Sequence, residues 1–199
     1  MHRLSRTLLQ LNIATRAYHV DADMPWLDLM IASVKTERYA AHLLKVYGFE
    51  APIESAFRYT PGLAARIDLR SRSRAGLLVQ DLMRLDMTAS HIAQLPQRFT
   101  TFNNPLEALG WMYVVERATL LHAGAYRHLS THLPQASNAL SYLSAYDGMA
   151  SLRWSELGEA LEAVASSAAD TRKLVLAASQ AFCALNEWFH ESDALRSLA

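Results

Sequence analysis

The sequence predicts an all-α protein that forms a single domain over residues 1–199. Glycine and proline, which interrupt helices, number only 7 and 6, whereas the helix-favouring residues alanine and leucine are abundant. Alternating apolar and polar runs typical of strands are nearly absent. Because 51% of the residues are hydrophobic, a chain of this length can bury a substantial core.

Charge and cysteine content exclude several classes of protein. Lys+Arg and Asp+Glu each total 19 without a block of like charge, so we expect no nucleic-acid partner. No stretch of about 18 apolar residues occurs, and polar residues interrupt the N-terminal stretch, so we expect neither a membrane partner nor a signal peptide. Cys183 is the single cysteine, which excludes an internal disulfide and a cysteine-based zinc site and favours a cytoplasmic location.

The first three helices are predicted from apolar residues that recur at helical spacing. The first spans residues 4–21, and one side of it carries Leu4, Leu8, Leu11, Thr15 and His19. Pro25 and Trp26 are expected to break the chain after it. A second helix spans residues 36–58, and a third spans residues 73–85.

The clearest helix start is Asn104-Pro105-Leu106-Glu107, because Asn can cap the helix, Pro suits its first turn and Glu completes a capping box. This central helix is predicted to run to about residue 129. A short helix over residues 136–146 is expected next. Helices over residues 152–166 and 170–189 follow it.

His19 is the first candidate for chemistry, since Thr15 and Asp23, each four residues away, face the same side of a helix. A neutral imidazole in this setting can bind a metal through one nitrogen, while a carboxylate or backbone carbonyl holds the other. The same spacing permits a half-buried histidine that bonds Asp23 and serves only the core. The residues alone leave both interpretations open.

Two other groups of metal-ligating residues are incomplete. His128 and His132 stand four residues apart, but Pro134 indicates that the helix is ending there, and no third ligand is evident. Glu54, Asp81 and Glu116 lack the remaining members of the roughly six inward ligands that a two-iron site in a bundle needs. Glu116 is therefore expected to form a salt bridge or to cap a structural network.

Residues 108–125 read Ala-Leu-Gly-Trp-Met-Tyr-Val-Val-Glu-Arg-Ala-Thr-Leu-Leu-His-Ala-Gly-Ala. This segment resembles the central helix of the phytochrome-associated bacterial haem oxygenases, where Ala-Leu-Gly-x-x-Tyr-Val-x-Glu leads into Gly-Ser-x-x-Gly-Gly. Shorter likenesses follow the family's order along nearly the whole chain, in Ala14-Thr15-Arg16-x-x-His19, Tyr47-Gly48-Phe49-x-x-Pro52-x-Glu54, Asp81-Leu82-x-x-Leu85 and Ala181-Phe182-x-x-Leu185-x-x-Trp188. The resemblance implies a haem oxygenase-like multi-helix bundle.

The resemblance also implies a cofactor and its ligand. Haem (iron protoporphyrin) would lie between the first and central helices, with His19 as the proximal ligand of the iron. Arg16 matches a basic position that faces a haem propionate in the family, where a guanidinium makes charge-assisted bonds, although a solvated arginine is equally consistent. The implied reaction opens haem to biliverdin, iron and carbon monoxide, with electrons from a reductase.

The central helix departs from the family where the glycines should be. Arg117 replaces the first glycine, and Leu121 and His122 replace the closing pair. Glycine lets a helix lie on the porphyrin and leaves room for oxygen, so bulk here should displace the helix or fill that room. His122 either binds the iron as a sixth ligand opposite His19 or packs on the helix. A slide of one turn could instead bring Gly124 over the haem.

Three functions are consistent with these residues. The chain is an enzyme that cleaves haem, or a module that binds haem or another tetrapyrrole without turnover. The third alternative is a non-catalytic interaction protein in which side chains fill the former ligand pocket. Fold alone does not decide among them, because function depends on the site.

Overall fold

A computed structural model of the chain describes residues 5–196, and the side chains of residues 5–190. The described part is helical and contains no strand, which confirms the predicted all-α class. Its α-helices are α1 (Arg6–Ala14), α2 (His19–Leu27), α3 (Thr36–Tyr59), α4 (Ala75–Arg84), α5 (Ala89–Ala93), α6 (Pro105–His132), α7 (Ala150–Val164) and α8 (Ala168–Arg196). No helix among these residues is long and apolar enough to cross a membrane.

The first predicted helix is divided into two. The hydroxyl of Thr15 donates to the carbonyl of Leu11 (2.8 Å), which also accepts the regular helical bond from the Thr15 amide (3.0 Å), and such a side-chain bond often bends a helix. A 3-10 turn over Arg16–Tyr18 follows, and α2 begins at His19. The break predicted at Pro25 and Trp26 is wrong, because both residues lie inside α2. His19 therefore stands at the start of a helix.

Helix α6 forms the centre of the bundle, and its predicted start is confirmed. The Asn104 side chain accepts from the Glu107 amide (3.1 Å), and the Glu107 carboxylate accepts from the Asn103 amide (3.1 Å). Further along, Gly110 lets α8 approach closely, since a Cβ there would lie 2.7 Å from the Cβ of Ala177. Helix α6 continues to His132, beyond its expected end.

The helix predicted over residues 136–146 is absent. A 3-10 turn over Pro134–Ala136 and a series of turns occupy this region. The buried Asp81 carboxylate accepts a 2.7 Å hydrogen bond from the Tyr142 amide. This tertiary bond takes a backbone donor that a helix would use, and it is invisible to local propensity. Helix α5, which the sequence analysis did not predict, joins α4 to the long segment before α6.

Buried ion pairs connect α6 with the segments around it. Arg72 donates to Glu116 (2.7 Å), and the Tyr146 hydroxyl donates to the other oxygen of Glu116 (2.8 Å). Arg74 pairs with Glu50 at 3.3 Å. Glu116 thus lies in a structural salt bridge, as its sequence position indicated.

Candidate functional site

His19 lies where the short α1–α2 connection meets α6 and α8. Its Nε2 atom is 3.3 Å from the hydroxyl of Thr15 and 3.5 Å from that of Tyr113. Its ring packs against Phe182, with centroids 5.6 Å apart. Burial lowers the pKa of His19, the charge of Arg117 lowers it further, and Asp23 opposes them. The imidazole is therefore neutral at pH 7, as a metal ligand must be.

Asp23, the expected hydrogen-bond partner of His19, is bound to Arg117. The two guanidinium nitrogens of Arg117 donate to the two carboxylate oxygens of Asp23 at 2.5 and 2.8 Å. Both side chains are largely buried, with exposed fractions of 13% and 21%. Asp23 consequently acts on His19 only through its charge, and the residue that replaces the first glycine ties α6 to α2.

The space between α2 and α6 is filled by side chains. The Trp26 indole is buried there, and the remaining cavity, lined in part by Ala22, Val114 and Ala118, measures about 20 Å³. Such a cavity holds about one water molecule, whereas small-molecule sites occupy about 300–1,000 Å³. The cavity beside Trp26 is therefore too small for a haem in the observed conformation, and His19 does not line it.

His122 lies deeper in the bundle than the sixth-ligand interpretation requires. Its ring packs on Trp26 (4.9 Å between centroids) and on Tyr142 (4.8 Å). Burial, followed by the charge of Arg74, lowers its pKa well below the usual value. Its Nε2 atom has no hydrogen-bond partner. The structure does not bring His122 and His19 together, since His19 contacts Phe182 and Tyr113 instead.

The other predicted positions do not form a pocket with His19. Arg16 is exposed in the 3-10 turn, and Leu121 is a half-buried residue packed against the core. Gly124 faces Met30, because a Cβ at Gly124 would lie 3.6 Å from the Met30 sulfur. A slide that places Gly124 over a cofactor would have to displace Met30.

The His128 and His132 rings stack with centroids 4.0 Å apart. His128 donates to the carbonyl of Ile31 (3.0 Å) and His132 to that of His128 (2.9 Å). Across the part of the chain that the structure describes, no three metal-ligating side chains come together. These two histidines therefore bind backbone carbonyls at the C-terminal end of α6 and do not form a metal site with a third residue described here.

Sequence reasoning missed His42 and the pairing of Arg117 with Asp23. His42 is buried in α3, where its ring lies 4.2 Å from Trp26, and it belongs to no motif. The Arg117–Asp23 pair had a usable signal, because a basic residue on the central helix and an acidic residue beside His19 are expected to meet if those helices face each other.

Helices α2 and α6 pack against each other in a helical bundle, a class of fold that can build ligand and cofactor sites from side chains on facing helices. The family model described as "Heme oxygenase" matches residues 5–191. The chain therefore belongs to the haem oxygenase family, whose members bind haem as substrate and cofactor. Membership of the phytochrome-associated branch of this family stays a prediction.

A solved structure supports the fold. The haem oxygenase of Neisseria meningitidis, solved in its NO- and CO-bound forms, is similar with a TM-score of 0.68 and 18% sequence identity. The match covers 94% of this chain and 91% of that protein. No curated relative matches the chain by sequence.

Proposed function

We propose that this chain is a tetrapyrrole-binding member of the haem oxygenase family that does not open haem with oxygen. The bidentate ion pair between Arg117 and Asp23 carries the proposal. The reaction of the family requires space for haem and oxygen between the helix that carries the proximal histidine, here α2 with His19, and a glycine-rich central helix. Here a guanidinium stands at the first glycine position and holds α6 on α2.

Opening this space has a substantial energetic cost. Two charge-assisted hydrogen bonds would break, and each partly buried charge would lose its partner. The Trp26 indole, which is 4% exposed, would also have to leave its contacts with His42 and His122. Both requirements oppose the arrangement that oxygen-dependent cleavage needs.

The enzymatic alternative rests on His19, whose neutral, half-buried imidazole suits a proximal ligand. Under that alternative a reductase is a required partner. Under the proposed function no electron donor is needed. The exposed thiol of Cys183 suits a reducing compartment, so we place the protein in the cytoplasm.

The variant Arg117→Gly tests the proposal, with Arg127→Gly as the matched control. Both arginines lie on α6, and both changes carry the same helix-propensity cost of about 1 kcal/mol, but Arg127 is exposed. With haem, reductant and air, we expect biliverdin from Arg117→Gly and none from the wild type or the control. If a folded, haem-loaded Arg117→Gly variant forms no more biliverdin than Arg127→Gly, the ion pair is not the barrier.

A further inference from the structure

The last turns of α6 carry two histidines that have no part in the proposed function. The sequence predicts a helix end near residue 129, but α6 continues to His132. His128 and His132 are therefore one helical turn apart on the same face. Both rings reach solvent, His132 more than His128. Along the helix axis His128 stands about 16 Å from Arg117, so this end of α6 is remote from the ion pair with Asp23.

We propose that His128 and His132 bind one divalent transition-metal ion, through Nδ1 of His128 and Nε2 of His132, with water in the remaining coordination positions. Zn²⁺, Ni²⁺ and Cu²⁺ are the divalent ions that imidazole ligands suit best. Water completes the site because, among the residues that the structure describes, no third metal-ligating side chain joins the pair. The inference does not depend on tetrapyrrole binding.

The hydrogen bonds of the two rings leave one lone pair free on each. Nε2 of His128 lies 3.0 Å from the Ile31 carbonyl, and Nδ1 of His132 lies 2.9 Å from the His128 carbonyl. A carbonyl only accepts, so these two nitrogens carry the protons. In a neutral imidazole the other nitrogen then holds a lone pair, here Nδ1 of His128 and Nε2 of His132. Metal-binding histidines have this arrangement, because a carbonyl that holds the second nitrogen fixes the tautomer.

The separation of the two rings suits a shared ion. Their centroids are 4.0 Å apart, and two nitrogens that each bind one ion at about 2.0–2.1 Å lie within about 4 Å of each other. The ring planes are nearly parallel, at 13°, so one ring must turn to aim both lone pairs at the ion. His132 can make this turn, since its side chain is exposed and water can replace its one hydrogen bond.

The position on the helix also favours a cation. Helix α6 is 28 residues long, and both histidines lie in its last turns. The negative end of the helix dipole is located there and stabilises positive charge. His128 already bonds Ile31, and Gln135 donates to Thr36 (2.8 Å), so the segment between α2 and α3 lies against this helix end. An ion bound to His128 and His132 would therefore fasten the last turn of α6 beside that segment.

Calorimetric titration of the full chain with Zn²⁺ tests the inference, at about pH 8 because the ligands must be deprotonated. The variants His128→Gln and His132→Gln each remove one ligand and keep a residue that favours helices. We expect one site in the wild type and at least about tenfold weaker binding in each variant. His91→Gln, which removes an exposed histidine, and Cys183→Ser, which removes the exposed thiol, are the controls and should bind as the wild type does.

A spacing variant separates chelation from the number of histidines. In Ser130→His combined with His132→Gln, α6 keeps two histidines, but they are two residues apart and do not face each other. This variant should bind Zn²⁺ as weakly as His132→Gln. With Cu²⁺, electron paramagnetic resonance should show two nitrogen ligands in the wild type and one in each single variant.

Three results would overturn the inference. They are wild-type affinity in His132→Gln, wild-type affinity in the spacing variant, and loss of the site in Cys183→Ser, which would assign the ion to the thiol. Should His128→Gln unfold because it loses the bond to Ile31, as judged by circular dichroism, His132→Gln and the spacing variant decide. None of these results bears on the proposed tetrapyrrole binding.

Discussion

Arg117 on α6 and Asp23 on α2 form a bidentate ion pair, with N–O distances of 2.5 and 2.8 Å. Arg117 occupies a position where the resembling haem oxygenases have glycine, and Asp23 follows His19 by one helical turn. Arginine at this position of the central helix therefore occupies space and binds the carboxylate that the sequence offers as a partner for His19.

The coupling between Arg117 and Asp23 should be measurable as a stability difference. We expect Arg117→Ala and Asp23→Asn each to lower the free energy of unfolding by about 1–3 kcal/mol, because each leaves a partly buried charge unpaired. The double variant should lose less than the sum of the two single variants. Urea denaturation of all four proteins measures this cycle, and strict additivity would show that the pair contributes nothing.

The same pair should control the titration of His19. Arg117 lowers the pKa of His19 and Asp23 raises it. The variant Arg117→Ala should therefore raise the pKa of His19, and Asp23→Asn should lower it. Titration of the imidazole resonances by NMR measures both shifts. Shifts of the same sign in the two variants would contradict the proposed electrostatics.

Acid should destabilise the fold through His42 and His122. Burial keeps both imidazoles neutral in the folded state, whereas they gain protons in the unfolded state below about pH 6.5. Stability is therefore lost as the pH falls below this value, by up to about 1.4 kcal/mol per pH unit for each histidine. For His42 the loss continues to a pH of about 3.

Replacement of both histidines by phenylalanine should flatten this pH dependence, measured by urea denaturation between pH 7 and pH 5. The exposed His91 offers a control, because His91→Phe should leave the slope unchanged. Equal slopes in the double variant and the wild type would mean that both buried imidazoles are charged in the folded protein.

The ion pairs around Glu116 should be essential for stability. The variant Glu116→Ala leaves the buried Arg72 with only the partly exposed Glu156 (3.2 Å) as a carboxylate partner, and it is expected to cost about 3 kcal/mol. Glu187→Ala removes the exposed partner of Arg98 and should cost less than about 1 kcal/mol. Thermal and urea unfolding compare the two variants, and equal losses would refute the structural role of Glu116.

The sequence predicted the helical class and the start of α6 because composition and capping at Asn104 are local properties. It did not predict the turns over residues 137–149, where a bond from Tyr142 to Asp81 across 61 positions decides the backbone. The site shows the same limit. A motif placed His19 and Arg117, but only the packing of helices brings Asp23 to Arg117 and His42 to Trp26.

The surroundings of His122 also change which variant can open the central helix. From the sequence alone, the variant chosen to open the central helix would replace Leu121 and His122 by glycine. Its expected helix-propensity cost is about 1 kcal/mol per residue. His122 is buried between Trp26 and Tyr142, so His122→Gly would leave a cavity and cost about 3 kcal/mol or more. Arg117, which lies nearer the surface, is the better position to change.

The most direct test of the account is the fate of haem in the wild-type protein. The haem-loaded chain is mixed with a reductant in air, and the Soret band and the biliverdin absorption are followed together, with a known haem oxygenase as the positive control. We expect the wild type to form no more biliverdin than free haem does when it is incubated without protein. Conversion of its haem to biliverdin at a rate comparable to the positive control would contradict the central claim that Arg117 and Asp23 keep the catalytic space shut.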